Sequence, residues 1–203
     1  MATTFEQFLN RINACVDTKE WARKASITSF KQGWDSCPEP GWMLVGLANA
    51  GYQEAADRRA RKWVHQCLLL VQGQLKDSRS LQALKVLENY SKGTGTSQDV
   101  ASACAEAKAA VEAQLKADAN ARRASQEFHA ARAVASSLSW SDPEWSKHAN
   151  DATFYSATAE AQQPDGSVDR DKLIAQRQKQ ADLLRSLFAP DIAELIAKLE
   201  RVP

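Results

Sequence analysis

Of the side chains that do chemistry in proteins, the histidines give the least to build on. His65, His129 and His148 are scattered, and no HxxxH or HExxH spacing puts two of them on one helical face. His65 and Cys67 are two residues apart, which on a helix points them to different faces. The cysteines, Cys15, Cys37, Cys67 and Cys104, form no CxxC pair, and each falls in an apolar stretch. They read as reduced, buried thiols acting as small hydrophobes, not as the disulfide framework of a small secreted domain. A metal site would have to be assembled from distant segments, and none is expected. No GxSxG, GxGxxG or P-loop lysine motif occurs. The acid pairs Glu54/Asp57 and Asp165/Asp169 sit at helix starts, where the helix dipole alone favours carboxylates. Ser-His-Asp triads form in space rather than in sequence, but nothing in the chain names a reaction. The expectation is a protein that is not an enzyme, with no catalytic residue, no metal and no cofactor.

Binding chemistry is better represented. Trp21, Trp34 and Trp42 crowd the region around Cys37-Pro38-Glu39-Pro40-Gly41. A tryptophan at a surface is a typical interface anchor, and a tryptophan in a core is a large filler whose N–H needs one partner. Both readings stand, and Trp42, which opens a helix after a turn, is the one expected to be partly exposed. Asp57, Arg58, Arg59, Arg61 and Lys62 form a charged run in which Arg58, Arg61 and Lys62 can share a helical face. That face is either a patch for an acidic partner or a solvated surface with aliphatic stems lying along it. The candidate partner-binding residues are therefore Trp34, Trp42, Arg58, Arg61 and Lys62.

Glycine and proline are sparse and clustered, and the clusters divide the chain into helices. A first helix is expected over 4–16, and a second over 17–34 with Asp17 and Glu20 as cap and capping-box partner. A short apolar helix over 42–49 follows the Pro-rich turn. The next, from Glu54 to about Gln72, carries Ala56, Ala60, Trp63, Val64, Cys67 and Val71 at the spacing of a buried stripe. Leu68, Leu69 and Leu70 place its end deep in the core. Asp77 caps a helix that carries Leu81, Leu84, Val86, Leu87 and Tyr90. From Ser97 to Ser139 alanine dominates, and glycine and proline are absent. An unbroken helix there would be about 60 Å long, so a kink or break is expected near 116–123, where the stripe through Leu115 fades. Asp142-Pro143-Glu144 starts another helix. A penultimate helix from about Asp169 to Phe188 buries Leu173, Ile174, Ala181, Leu184 and Leu187, and Pro190 starts the last. The fold class is all-α: a compact bundle of about eight helices in a single domain over 1–203, with 1–17 an accessory helix.

Composition sets outer limits. The 203 residues are 44% hydrophobic and 25% charged, with a net charge of +1. These are ordinary globular values, and a dedicated nucleic-acid binder usually carries a larger basic excess. The N-terminus lacks the basic start and apolar run of a signal peptide, and no apolar run approaches the ~20 residues of a membrane span. The expected location is the cytoplasm.

Several segments, in order, resemble one family: Lys19-Glu20-Trp21-Ala22, Gly33-Trp34-Asp35-Ser36-Cys37-Pro38, Gly41-Trp42-Met43-Leu44 and Arg59-Ala60-Arg61-Lys62-Trp63-Val64. A helix ending Tyr90-Ser91-Lys92-Gly93 follows, then the alanine-rich stretches, Phe154-Tyr155-Ser156-Ala157-Thr158-Ala159, and Gln180 ahead of Leu183-Leu184. This order is similar to the alanine-rich, all-helical immunity proteins of bacterial polymorphic-toxin loci and mobile elements, over roughly Glu20 to Phe188. The chain departs from the pattern at Gln66, Gln72 and Gln74 and in its N-terminal helix. The resemblance implies a helical antagonist that neutralises a toxin by direct binding. Two alternatives stay open: a phage or mobile-element anti-defence inhibitor of a host protein, and a nucleic-acid-binding regulator.

Overall fold

The computed structural model describes residues 4–49, 54–121, 124–139 and 144–201. These form eleven α-helices, two 3-10 turns and no strand; one isolated antiparallel bridge joins Gln162 to Val168. The helices are α1 (Phe5–Arg11), α2 (Val16–Lys24), α3 (Phe30–Ser36), α4 (Pro40–Asn49), α5 (Glu54–Leu69) and α6 (Ser78–Ser91). They continue with α7 (Ser97–Ala121), α8 (Gln126–Leu138), α9 (Trp145–Ala161), α10 (Arg170–Phe188) and α11 (Ile192–Arg201). The fold is all-α, as expected, with more and shorter helices at the N-terminal end.

Left-handed residues make the extra breaks. Ser26 has φ 53° and ends α2: its N–H donates to Arg23 O at 3.1 Å, and the next N–H, of Ile27, reaches back to Ala22 O at 2.9 Å. That pair of bonds is a Schellman termination, so the single helix expected over 17–34 is two. Asn13, at φ 49°, ends α1 in the same way, with Ala14 N–H on Leu9 O. Thr4 and Gln7 start α1 with a reciprocal capping box. Ser29 caps α3 by accepting from Gln32 N–H, while the Gln32 side chain accepts from Thr28 N–H. The expected cap Asp17 lies instead in the first turn of α2, whose N-cap position is Cys15.

The alanine-rich stretch breaks between Ala121 and Gln126. Buried Asp118 accepts from Ser125 N–H at 2.6 Å and from Gln114 Nε2 at 2.8 Å. Ser125 caps α8 by accepting from Phe128 N–H, and Gln162 donates to Ala124 O at 2.7 Å. Turning the chain here lets α8 fold back between α7 and α9. Ala130, Ala133 and Val134 are fully buried there, as are Ala149, Ala152 and Ala159 on α9. Side chains this small allow close approach of the helix axes.

One buried cluster runs from Phe5 to Phe188, and α9 lies at its centre, packed on α8, α10, α5 and α4. The stripe of α5 is as expected: Ala60, Trp63, Val64, Cys67 and Val71 are all fully buried, while the side chain of Ala56 falls outside the described residues. Its end differs. Leu68 is buried, but α5 stops at Leu69, and Leu69 and Leu70 turn outward. Leu115 and Ile174 are also exposed rather than buried. On α10 the inward face is rotated, so that Arg177 and Gln180 join Ala181, Leu184 and Phe188 inside. Asp142 and Pro143, the expected start of α9, lie outside the described residues, and Glu144 takes the N-cap position. Among the described residues no helix is long and apolar enough to cross a membrane.

Trp63 ties this core together. It is fully buried, and its indole N–H donates to Gln180 O at 2.8 Å. Trp63→Ala is expected to cost about 3–5 kcal/mol, read as a shift of the urea midpoint at unchanged slope. A midpoint within error of the parent would place Trp63 outside the core.

Candidate functional site

The turn Cys37–Gly41 is where the chain spends its buried polar groups. Prolines at 38 and 40 stop α3 and start α4 with no backbone donors of their own. The missing bonds are replaced from α10. Arg177 is 5% exposed and uses all five of its guanidinium hydrogens. Nε donates to Glu39 Oε2 at 3.2 Å and Nη2 donates to Glu39 Oε1, a bidentate pair. Nη2 also donates to Asn150 Oδ1 at 2.8 Å, and Nη1 to Thr153 Oγ1 at 3.1 Å and Gln180 Oε1 at 3.0 Å. Gln180 in turn donates to Thr153 O and Ser156 Oγ on α9. About two turns beyond Arg177 on α10, Arg185 donates to Trp34 O at 2.8 Å and to Cys37 O. Glu39 also accepts from Gly41 N–H at 3.2 Å, capping α4. A Cβ on Gly41 would collide with the Asn150 amide, so only glycine lets α4 sit this close to α9.

The latch is self-contained: every donor of Arg177 and of the Gln180 amide has an acceptor. Its consequence lies next to it. Between α1, α2, α3, α4 and α11 an apolar cleft of about 260 Å³ opens to solvent. Trp34 and Trp42, the two tryptophans singled out in the sequence, both line it, and Trp21 joins them. Trp21 and Trp42 pack as a tilted pair, ring centres 5.7 Å apart, and Trp34 meets Phe188 edge-on at 6.4 Å. All three are half-buried. The far wall is Phe5 and Phe8 of α1 with Ile192 and Ile196 of α11. Among the described residues no Asp, Glu, Lys, Arg or His lines the cleft; besides Cys37 and the three indoles its polar lining is Asn13, Cys15 and Thr18, and Cys15 Sγ lies 3.0 Å from Thr18 Oγ1.

Two glycines border this space for opposite reasons. Phe5 packs its ring on Gly33, within 2.7 Å of where a Cβ would stand. At Gly46 a Cβ would meet nothing within 4 Å among the described residues. Glycine inside a helix costs about 1 kcal/mol relative to alanine, and at Gly46 packing gives no reason for it.

Arg58, Arg59, Arg61 and Lys62 do not line the cleft. Arg58 and Lys62 are exposed on α5, with Arg58 Nη1 3.6 Å from where a Cβ on Gly93 would stand. Arg61, expected on the same exposed face, is buried, with its guanidinium 4.6 Å from the centre of the Tyr90 ring. Arg59 pairs with Asp191 just ahead of α11 and lies over Phe188, which holds the last helix near the cleft. Of the cysteines, Cys37 and Cys67 are buried, Cys104 is intermediate, and Cys15, expected inside, is exposed at the cleft's polar end. Burial pushes the Cys37 thiol up to about 11, and burial raises that of Cys67 as well. Among the described residues no three or more His, Cys, Asp or Glu side chains gather as a metal set. Burial lowers the pKa of both His65 and His129.

Sequence reasoning missed Arg177, Glu39 and Asn150. The signal for the first was present: an arginine four residues from Leu173 and four from Ala181, on the inward stripe of α10. An acid between two prolines was the signal for the second. Compared with family models, curated proteins and solved structures, the chain gives no significant match.

Glu39→Ala leaves the buried Arg177 charge without its carboxylate and is expected to cost about 3–5 kcal/mol. Glu39→Leu combined with Arg177→Met is expected to cost clearly less than the sum of the two single changes, because the pair acts as a unit. Additive losses in denaturant titrations would contradict the latch. In native protein at pH 8, a thiol reagent is expected to modify Cys15 quickly and Cys37 and Cys67 only on unfolding, which counting labelled thiols by mass checks.

Proposed function

We propose that the protein acts by binding another protein and blocking it, as an immunity-type antagonist blocks its toxin. The observation that carries this reading is the tryptophan-lined cleft on a latched turn. Interfaces concentrate their energy in a few aromatic anchors and the pockets that surround them. Trp42 meets that description: half-buried against Trp21, at the start of a helix whose first turn is fixed by Glu39 and Arg177. A rigid receptor surface loses little entropy on docking. Arg58 and Lys62 offer exposed cations on a separate face, which suits a flanking contact to an acidic partner. The family resemblance supplies the partner class, a toxin encoded beside this gene. An anti-defence inhibitor of a host protein would use the same binding logic on a different target, and no catalytic step belongs to either.

The test is co-expression with the product of the adjacent gene. The expected result is a co-purifying complex in which that product loses its activity. Trp42→Ala should then weaken binding by about 2 kcal/mol or more, with the helical circular-dichroism spectrum of the parent retained. An adjacent product that neither binds nor is inhibited would refute the immunity reading. Full affinity in Trp42→Ala would move the interface elsewhere on the surface.

A further inference from the structure

We propose that the cleft between α1–α4 and α11 is a site for an uncharged, largely apolar small molecule with a single polar group held at the Asn13–Thr18 end. The same cleft carries the partner reading at its Trp42 rim, but small-molecule binding is measured on the protein alone, so either reading can fail without the other.

Size sets the first limit. An apolar cavity of about 150 Å³ takes a benzene ring, so about 260 Å³ takes roughly ten non-hydrogen atoms. Charge sets the second. Among the described residues no acidic, basic or histidine side chain lies along its lining, so a carboxylate or an ammonium drawn into the cleft would find no counter-charge there. Besides Cys37 and the three indoles, the polar lining is Asn13, Cys15 and Thr18, close together in sequence at the start of α2. Thr18 is 6% exposed, its hydroxyl is shared with Cys15, and Asn13 stands beside them on the turn between α1 and α2. A hydroxyl or amide head placed there could exchange hydrogen bonds with Thr18 and Asn13 while its body lies against the indoles.

Gly46 points the same way. Alanine is the better helix former, and at this position it would collide with nothing. Glycine is used where another molecule must approach the backbone closely, and here the backbone it exposes faces the cleft. Gly33 and Gly41, by contrast, are each explained by a side chain of the protein itself.

The experiment uses the full chain and three eight-carbon probes at pH 7: 1-octanol, octanoate and octylammonium. Binding is followed by calorimetry and by tryptophan fluorescence, since Trp21, Trp34 and Trp42 all line the site. The expected result is saturable one-to-one binding of octanol, roughly tenfold or more tighter than either ion. Gly46→Leu fills the space: it should weaken octanol by roughly tenfold or more while raising the melting temperature. Gly46→Ala should weaken it less, and keeps the test readable if the leucine variant folds poorly. Three results would each overturn the proposal: no saturable octanol binding, ions that bind as tightly as octanol, or glycine variants that bind octanol like the parent.

Discussion

A guanidinium buried between α10, α9 and the start of α4 is the constraint from which the rest of the N-terminal half follows. Taking Arg177 out of water is unfavourable unless every hydrogen finds an acceptor and a carboxylate lies opposite. Here both conditions are met by residues from three places: Glu39 in the Pro-rich turn, Asn150 and Thr153 on α9, and Gln180 on α10 itself. Because the acceptors come from separate elements, satisfying one arginine fixes their relative positions. The start of α4 can occupy only one place on α9, and Gly41 removes the Cβ that would forbid it. With α4 placed, Trp42 packs against Trp21 at the edge of the core. Arg185 fixes the preceding residues through the carbonyls of Trp34 and Cys37.

The C-terminal half is held differently. Its helices carry few large side chains, and alanines on α7, α8 and α9 give close approach in place of large interlocking residues. Such faces are nearly featureless, so register needs polar pins. Asp118 and Gln162 supply them at the α7–α8 break, and Ser156 and Thr153 bond back to their own helix while accepting from α10. The molecule therefore combines an alanine-packed slab with a tryptophan-rich end. The cleft forms at that end, where large rings on short helices cannot fill space as evenly as methyl groups do.

How much of this the sequence disclosed depends on range. The helical class, the stripe of α5 and the break in the alanine-rich stretch are periodicity and propensity effects, and all were legible. The Schellman ends at Asn13 and Ser26 were not, because asparagine and serine adopt left-handed conformations too seldom to flag without a glycine. The outward turn of Leu69 and Leu70 was hidden by an apolar run that looks the same on both sides of a helix end. Arg61 was read as exposed because sequence pattern cannot show Tyr90 arriving from α6 to stack on it. Trp34 and Trp42 were singled out in the sequence, and both line the cleft. The arginine that fixes them is about 140 residues away in the chain, and that pairing exists only in three dimensions.

A cleft with this origin should depend on the latch and not on the global stability of the bundle. Amide hydrogen exchange in Glu39→Ala separates the two, since local openings and global unfolding are read from different amides. The latch account predicts that the amides of Gly41 to Leu44 lose protection by about tenfold or more beyond any change in the amides of Trp63 to Leu68. If protection falls equally in both segments, or in neither, Arg177 and Glu39 do not position the cleft, and the central claim is wrong.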